Sequence, residues 1–386
     1  MVNMPDRRLN IVAVNWRDLR DPDGGGAEVH LHQIMRRMVE RGHRVTWFSC
    51  RFEGASEHDS YDGIEFVRRG RWFDANYVLP RAVKEHLKRE RADLVVEDIN
   101  KIPFYMPLHV DVPVLAVVPH LFGTTVFREA NPLSAAYVYA WELFIPRVYR
   151  RCRFAAISPS TKDDLVRRGV SPARVDVVLC GLDHERYRAT GGGSRYQTPT
   201  LIHFGRVRKY KAIDTVIRSF GIIRERLPEA RLLVIGDGPE LGNLRKLTSE
   251  LGLSAAVDFR GRVPTEELVE ILNHVHLFVN ASPKEGWGLT VLEANACGVP
   301  VVGSNRPGLK DSILDGKTGY LVPFGDVEAF AARGLEILGD EALWHRMSAA
   351  ALEWAGTMTW ERTADEMERL FLQAATPAYE ESHSQA

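Results

Sequence analysis

Short apolar runs alternate with longer amphipathic stretches along this chain. Residues 9–16 form an apolar run that reads as a strand, and 27–41 place Ala27, Leu31, Ile34, Met35 and Met38 on one helical face. Gly42 ends that helix and 43–49 is the next strand. The alternation goes on with strands at 63–70, 92–99, 113–119, 154–158 and 175–181, and with helices at 77–91, 133–150 and 159–169.

Residues 188–199 carry Gly191-Gly192-Gly193-Ser194 without apolar periodicity and read as a linker. The alternation then restarts. Strands are expected at 200–205, 231–235, 257–261, 276–281 and 299–303, and helices at 211–227, 289–297, 327–338, 341–354 and 360–374. Two runs of strand-helix units imply two doubly wound α/β domains. The expected limits are 1–187 for the first, 188–199 for the linker, 200–358 for the second, 359–376 for a helix returning to the first, and 377–386 for a disordered tail.

A chain of 386 residues supplies two cores of ordinary size. With 45% hydrophobic and 26% charged residues it falls among globular proteins, and a net charge of −1 gives no footprint for a nucleic-acid partner. Cys50, Cys152, Cys180 and Cys297 form no C-x-x-C pair and read as reduced, buried thiols, which suits a cytoplasmic protein. The first ten residues are polar and charged, unlike a secretory leader. The longest uncharged run, 112–127, is interrupted by Pro113, Pro119, His120 and Gly123, so no span is expected.

Candidate chemistry concentrates in 282–303. A loop with Pro283, Gly286 and Gly288 leads into a helix, whose first N–H groups, from Gly286 to Leu289, would attract phosphate. Glu285 lies in that loop. Glu293 shares a helical face with Leu289, Leu292 and Ala296, which points it inward. A buried carboxylate needs a partner. Vicinal sugar hydroxyls would serve, but so would a core Arg for Glu293 and a capping role for Glu285. Arg206 and Lys211 stand at the carboxyl end of a strand, either as a diphosphate clamp or as surface charge. Asp98, Asn100 and Lys101 end another strand, as acceptor-side residues or as a solvated turn. His120 follows a third, beside Gly123 and two threonines.

Gly24-Gly25-Gly26 before a helix can approach an anion or simply turn the chain, and Gly236-x-Gly238 lacks the third glycine of a dinucleotide fingerprint. Asp21-Pro22-Asp23 reads as turn chemistry, and no metal site is expected. Residues 133–150 are aromatic, with Arg147, Arg150, Arg151 and Arg153 after or within their end. They read as a core helix with a charge-stabilised terminus, or as a patch for a membrane or lipid-linked acceptor; Glu142 and Pro146 interrupt any clean membrane face.

Glu285-Gly286-Trp287-Gly288-Leu289, followed by Glu293-Ala-Asn-Ala-Cys-Gly-Val-Pro-Val-Val, resembles the signature of glycosyltransferase family 4. Gly205-Arg206 with Lys211, and 22–28 with Arg41-Gly42-His43, extend the resemblance over nearly the whole chain. It implies the GT-B fold: two facing Rossmann-like domains, with a C-terminal helix crossing back to the first. It implies a retaining, metal-independent transferase without cofactor that moves sugar from a UDP- or GDP-sugar to a carbohydrate or lipid-linked acceptor. Gly26 would lie near the donor diphosphate, Arg206 and Lys211 would neutralise it, and Gly288 and Leu289 would open the helix facing it. Glu285 and the backbone of Gly286 and Trp287 would hold the sugar, Glu293 the ribose, and the backbone near Val263 the base. His120 would contact the transferred sugar. The family usually has Gly where this chain has Ala212. A location in the cytoplasm, or at the inner face of the membrane, follows. The rival readings are a nucleotide-sugar epimerase, a phosphorylase and a non-enzymatic nucleotide-sugar sensor.

Overall fold

The computed structural model describes residues 7–128, 131–190 and 195–376, which fall into two compact units. One runs to Gly181 and is completed by the segment from Trp360; the other is Leu182–Thr359. The glycine tract 191–194 and the tail expected at 377–386 lie outside the described residues.

In the first unit the strands are β1 (Asn10–Val14), β2 (Arg44–Ser49), β3 (His58–Tyr61), β4 (Ile64–Arg68), β5 (Leu94–Asp98), β6 (Val114–Val118), β7 (Arg153–Ala156) and β8 (Val175–Val177). Among the described residues they form one sheet in the order β3-β4-β2-β1-β5-β6-β7-β8, parallel except for the β3–β4 hairpin. Val12 and Val14 face one core, with Phe48, Val95 and Leu165; Ile11 and Ala13 face the other, with Ile34, Met38 and Trp47. At the centre of the sheet both faces are covered, which is why β1 and β6 are continuous apolar runs, while β3 and β4 at one edge carry exposed polar residues.

The helix Trp360–Ala375 belongs to this unit. Ala364, Met367, Leu370 and Phe371 lie fully buried in the second of those cores. Each buried Met, Leu or Phe stabilises by about 1.5–3 kcal/mol. Two ion pairs and a hydrogen bond then fix its register against the helix Gly26–Glu40 and the turn after it: Arg37–Glu361 at 2.7 Å, Arg41–Asp365 at 2.6 Å, and His43 Nε2 to Glu368 Oε1 at 3.1 Å.

The second unit carries β9 (Thr200–Phe204), β10 (Arg231–Ile235), β11 (Val257–Gly261), β12 (Leu277–Asn280), β13 (Val301–Ser304) and β14 (Gly319–Val322). Their order is β11-β10-β9-β12-β13-β14, all parallel. Each sheet reverses its strand order beside its first strand, between β1 and β5 and between β9 and β12. Ligands of open α/β sheets bind at the carboxyl side of such a reversal.

Several details differ from the sequence reading. The boundary falls at Gly181, not 187, and residues expected to form a linker are anchored to the second unit: Thr190 N–H donates to Asn273 Oδ1 at 2.8 Å, and Tyr196 N–H to the His274 carbonyl at 2.9 Å. The single helix expected at 133–150 is two, Pro132–Leu143 and Ile145–Val148, because Pro146 has no N–H to carry the ladder across Phe144. Of the longer one only Ala135 and Glu142 are buried, so it is not a core helix.

Candidate active site

Lys211 and Glu285 stand at the reversal of the second sheet, on the chain leaving β9 and the chain leaving β12. Lys211 Nζ pairs with Glu285 Oε1, and both side chains are largely shielded, 13% and 15% exposed. Burial alone would lower the ammonium pKa, but Glu285 raises it, so Lys211 stays charged. Lys211 ends a short 3-10 turn, Lys209–Lys211, after which Ala212 adopts the left-handed conformation at φ 49° and starts the helix Ile213–Arg226. Left-handed backbone costs an L-residue about 1–2 kcal/mol, so the chain accepts strain to place Lys211 here.

Arg206 is exposed, and its charge is felt at Lys211. Its loop rests on the one after β10, with Val207 N–H donating to the Asp237 carbonyl at 2.9 Å. A Cβ on Gly236 would sit 1.8 Å from the Gly205 carbonyl oxygen. That close approach, and not a dinucleotide, explains the Gly236-x-Gly238 pair. Beneath, His203 is buried and neutral, held down to about 4 by burial. Its Nδ1 carries the proton, since it lies 2.9 Å from the Val279 carbonyl, which can only accept.

The loop after β12 is braced from behind. Glu285 N–H donates to the Pro307 carbonyl at 3.0 Å, and a Cβ on Gly308 would lie 2.4 Å from the Glu285 carbonyl oxygen. Gly288 at φ 89° caps the helix Leu289–Ala296, so the N–H groups opening that helix lie beside Glu285 and Gly286. Trp287 is 2% exposed, and among the described residues its indole N–H has no hydrogen-bond partner. Glu293, half-buried on that helix, is hydrogen-bonded to Tyr187 and not to a core Arg. Burial pushes its carboxyl up to about 7, against the opposing Tyr187 hydroxyl. Val263, just after β11, is half-buried against the apolar cluster of Ile235, Val291 and Ala294, on which Tyr187 also packs.

In the first unit, the reversal between β1 and β5 gathers a buried polar network. Asn15 Nδ2 donates to Asp98 Oδ2 at 2.9 Å; Asn100 Nδ2 donates to Asn15 Oδ1 and to Glu28 Oε1, both at 3.0 Å. Burial, then the Glu28 and Glu97 charges, raise the Asp98 carboxyl well above its usual range. Asp98 and Asn100, read as acceptor-side candidates, are thus interior groups that hold the loop before Gly26. Lys101 is half-buried against the Trp16 ring. Gly26 is the first residue of its helix, and Gly25 N–H donates to Glu28 Oε2 at 2.7 Å. The loop from 15 to 25 is pinned at Asp18, which receives Arg68 Nε at 2.7 Å and Ser49 Oγ at 2.8 Å. Asp21 accepts from Asp23 N–H at 2.9 Å, as turn chemistry requires.

His120 follows β6, half-buried, edge-on to Phe122 with ring centroids 5.0 Å apart. The next turn is held by Glu142, which is buried and accepts Phe122 N–H at 2.6 Å, Gly123 N–H at 2.8 Å and Arg168 Nη1 at 3.2 Å. Sequence reasoning missed Glu142 and Tyr187 as supports for His120 and Glu293. A lone acid inside an aromatic helix was the visible signal for Glu142; Tyr187 had none. Among the described residues no group of three or more His, Cys, Asp or Glu is placed to hold a metal.

Two family models divide the chain between them: "Glycosyltransferase Family 4" over residues 24–186 and "Glycosyl transferases group 1" over 192–354. A GDP-mannose-dependent alpha-(1-6)-phosphatidylinositol monomannoside mannosyltransferase of Mycolicibacterium smegmatis is 29% identical over 361 residues, 86% of this chain and 91% of that protein. An N-acetyl-alpha-D-glucosaminyl L-malate synthase of Bacillus anthracis is 37% identical over 153 residues, 40% of this chain and 39% of that protein. Among solved structures, sucrose-phosphate synthase from Thermosynechococcus elongatus superposes with a TM-score of 0.81 at 20% identity, covering 95% of this chain and 99% of its own. WaaG, a glycosyltransferase involved in lipopolysaccharide biosynthesis, gives 0.73 at 19% identity, covering 92% and 98%.

Proposed function

The chain belongs to glycosyltransferase family 4 and has the GT-B fold, and from that premise we propose that it is a retaining hexosyltransferase drawing on a UDP- or GDP-sugar to glycosylate a hydroxyl in glycolipid or polysaccharide assembly. The observation that carries this reading is the Lys211–Glu285 pair at the β9/β12 reversal, set against a helix N-terminus. The full-length mannosyltransferase relative makes GDP-mannose the first donor to try and a lipid-linked inositol glycoside the first acceptor.

The roles follow from charge. As the bond from the anomeric carbon to the diphosphate oxygen breaks, negative charge builds on the phosphate and the sugar becomes oxocarbenium-like. Lys211, Arg206 and the N–H groups after Gly288 stabilise that charge. Glu285 and the backbone of Gly286 and Trp287 hold the sugar; Glu293, ionised, takes the two ribose hydroxyls; the backbone at Val263 meets the base. The acceptor oxygen attacks the same face, and its proton passes to the departing phosphate oxygen, so configuration is retained without a covalent adduct. Gly26 and His120, in the first unit, are carried as donor-contact candidates on the family resemblance alone. Charge neutralisation rests on cationic side chains and backbone dipoles, so turnover is expected to survive a chelator.

The test is incubation with a panel of nucleotide-sugars and acceptors, following nucleoside diphosphate release and the anomeric signal of the product by NMR. Transfer with retention supports the reading. An epimer from donor alone, or donor binding without release or transfer, would replace it with an epimerase or a sensor.

A further inference from the structure

The loop leaving β5 is built around an acid that the chemistry above does not use. Glu97, on β5, is fully buried. Phe104 N–H donates to its Oε1 at 2.6 Å and Met106 N–H to its Oε2 at 3.1 Å. Between them, Tyr105 N–H donates to the Tyr149 hydroxyl at 3.0 Å, and that hydroxyl donates to Glu97 Oε1 at 2.7 Å. Three successive backbone N–H groups thus converge on one carboxylate and its phenol, as in the concavities by which turns capture anions. Tyr105 takes the left-handed conformation at φ 56° to make this possible, and its ring stacks on Trp141 with centroids 4.8 Å apart. Strained backbone of this kind persists only where its surroundings over-determine it, and it clusters at functional sites.

What the loop carries narrows its role. Asn100 is engaged by Asn15 and Glu28. The Ile102 carbonyl accepts from Trp16 Nε1 at 3.0 Å, and the Pro103 carbonyl from Asn76 Nδ2 at 2.9 Å. Lys101 is left. Its ammonium stands 5.6 Å from the Trp16 ring centroid, half-buried, with no ion pair or hydrogen bond among the described residues. Burial, then the nearby Arg17 charge, lowers its pKa. It follows the carboxyl end of β5, on the side of the β1/β5 reversal where open sheets take ligands.

We infer that Glu97, with Tyr149, is a positioning residue for the acceptor: the two set the loop 99–106 so that Lys101 meets an oxygen of the attacking substrate. This rests on the transferase reading, with the acceptor held by the first unit. Glu97 itself touches no substrate and acts through Lys101. Misplacing a binding group by about 1 Å costs up to about 100-fold in rate, so a rigid loop matters more here than a strong contact. An acid that served the fold alone would leave the choice between acceptor and water untouched, and that choice is what separates the two roles.

The test is a set of full-length variants, Glu97→Gln, Tyr149→Phe, Lys101→Met and Glu97→Gln/Lys101→Met, each checked for folding by circular dichroism. Nucleotide-sugars, GDP-mannose first, are given with and without a lipid-linked inositol glycoside and the other panel acceptors. Transfer and slow donor hydrolysis by water are then read separately, and nucleoside diphosphate affinity is measured by calorimetry. Glu97→Gln accepts with one oxygen where two are used. It should raise acceptor KM about 10-fold and divert product towards hydrolysis, with donor hydrolysis and diphosphate affinity at wild-type values. Tyr149→Phe should act in the same direction, and replaces the Gln variant if that one does not fold. In the Lys101→Met background Glu97→Gln should add nothing, because residues that act through one another are not additive. Wild-type acceptor KM in Glu97→Gln and Tyr149→Phe, a loss of donor hydrolysis equal to the loss of transfer, or full additivity with Lys101→Met would each overturn the inference while the transferase reading stands. A wild type that transfers from no nucleotide-sugar to any panel acceptor would overturn that reading, and the inference with it.

Discussion

Lys211 and Glu285 are 74 residues apart in the chain and meet as an ion pair at the reversal of the second sheet. The pair holds two opposite charges ready where a diphosphate and a sugar would separate. Lys211→Ala removes the cation and leaves Glu285 shielded without it. Loss of a charge-assisted contact worth about 1.5–3 kcal/mol predicts a roughly 10- to 100-fold drop in kcat/KM. Steady-state kinetics with saturating acceptor check this, and wild-type turnover would remove Lys211 from the mechanism.

Glu293 gives a pH prediction. Burial raises its carboxyl to about 7, well above the 4.5 of the unfolded chain. Below pH 4.5 it is protonated in both states and costs nothing. As pH rises from there through 7, the folded state must ionise a buried acid, so this group lowers stability. In the role proposed for Glu293 the ribose hydroxyls would bind the carboxylate, so donor affinity should move the other way. Tyr187→Phe removes the hydroxyl that opposes the shift, so the affinity transition should move to higher pH; in Glu293→Gln it should disappear. Glu97, also pushed up to about 7 by burial, adds its own slope to stability, so calorimetric donor titrations of the variants against wild type are the measurement.

Gly308 lies behind the loop carrying Glu285. Gly308→Ala puts a Cβ against the Glu285 carbonyl, at a φ of 85° that alanine resists. The loop must shift away from Pro307. Misplacement of a binding group by about 1 Å costs on the order of 100-fold, so donor Kd and kcat should both worsen while urea denaturation moves by only about 1–2 kcal/mol. Unchanged donor binding would mean that this brace is not what sets Glu285.

Much of this arrangement could be read from the chain, and the failures have physical causes. The strands 231–235 and 257–261 match β10 and β11 residue for residue: β10 is a buried apolar run after Arg231, and β11, at the sheet edge, alternates Val257 and Phe259 with exposed Asp258 and Arg260. β3 was missed: His58-Asp59-Ser60-Tyr61 is a polar edge hairpin without such a run. β14 was missed because Gly319-Tyr320-Leu321-Val322 is too short to show a period. Lys211 and Glu285 were legible through loop chemistry. Tyr187 was not, because its link to Glu293 is tertiary and 106 residues long, counting from 187 to 293. Asp98 and Asn100 carried the polarity of a surface turn, and only packing reveals that the turn is interior.

Ala212 holds a left-handed conformation at φ 49° that glycine adopts without penalty. Ala212→Gly should therefore stabilise by about 1 kcal/mol, less the extra entropy glycine gives the unfolded chain. A rise of about 2–4 °C in the melting transition is expected for a unit of this size. Calorimetry decides it, and a lowered transition would show that the buried methyl contributes more than the strain costs.

Glu142 supports the turn after His120. Glu142→Ala leaves the Phe122 and Gly123 N–H groups without their acceptor, while Arg168 keeps Asp164, and should cost about 1–3 kcal/mol for each unsatisfied N–H. Glu142→Gln, which keeps the shape but accepts with one oxygen, should lower kcat while nucleoside diphosphate affinity stays at the wild-type value. Equal kcat in Gln and wild type would remove Glu142 as a positioning residue.

The helix Trp360–Ala375 fills the core of a unit whose sheet is encoded some two hundred residues earlier. On a ribosome, the stretch Leu182–Thr359 can therefore finish folding while the part made before it still waits for its last wall. The first-made half is the last completed, and until Met367 and Phe371 arrive, Ile34, Met38 and Trp47 present a bare apolar groove to the cell. Chaperone demand during synthesis should peak late, and a stop codon shortly before Trp360 should send the early half to proteolysis while sparing the middle of the chain.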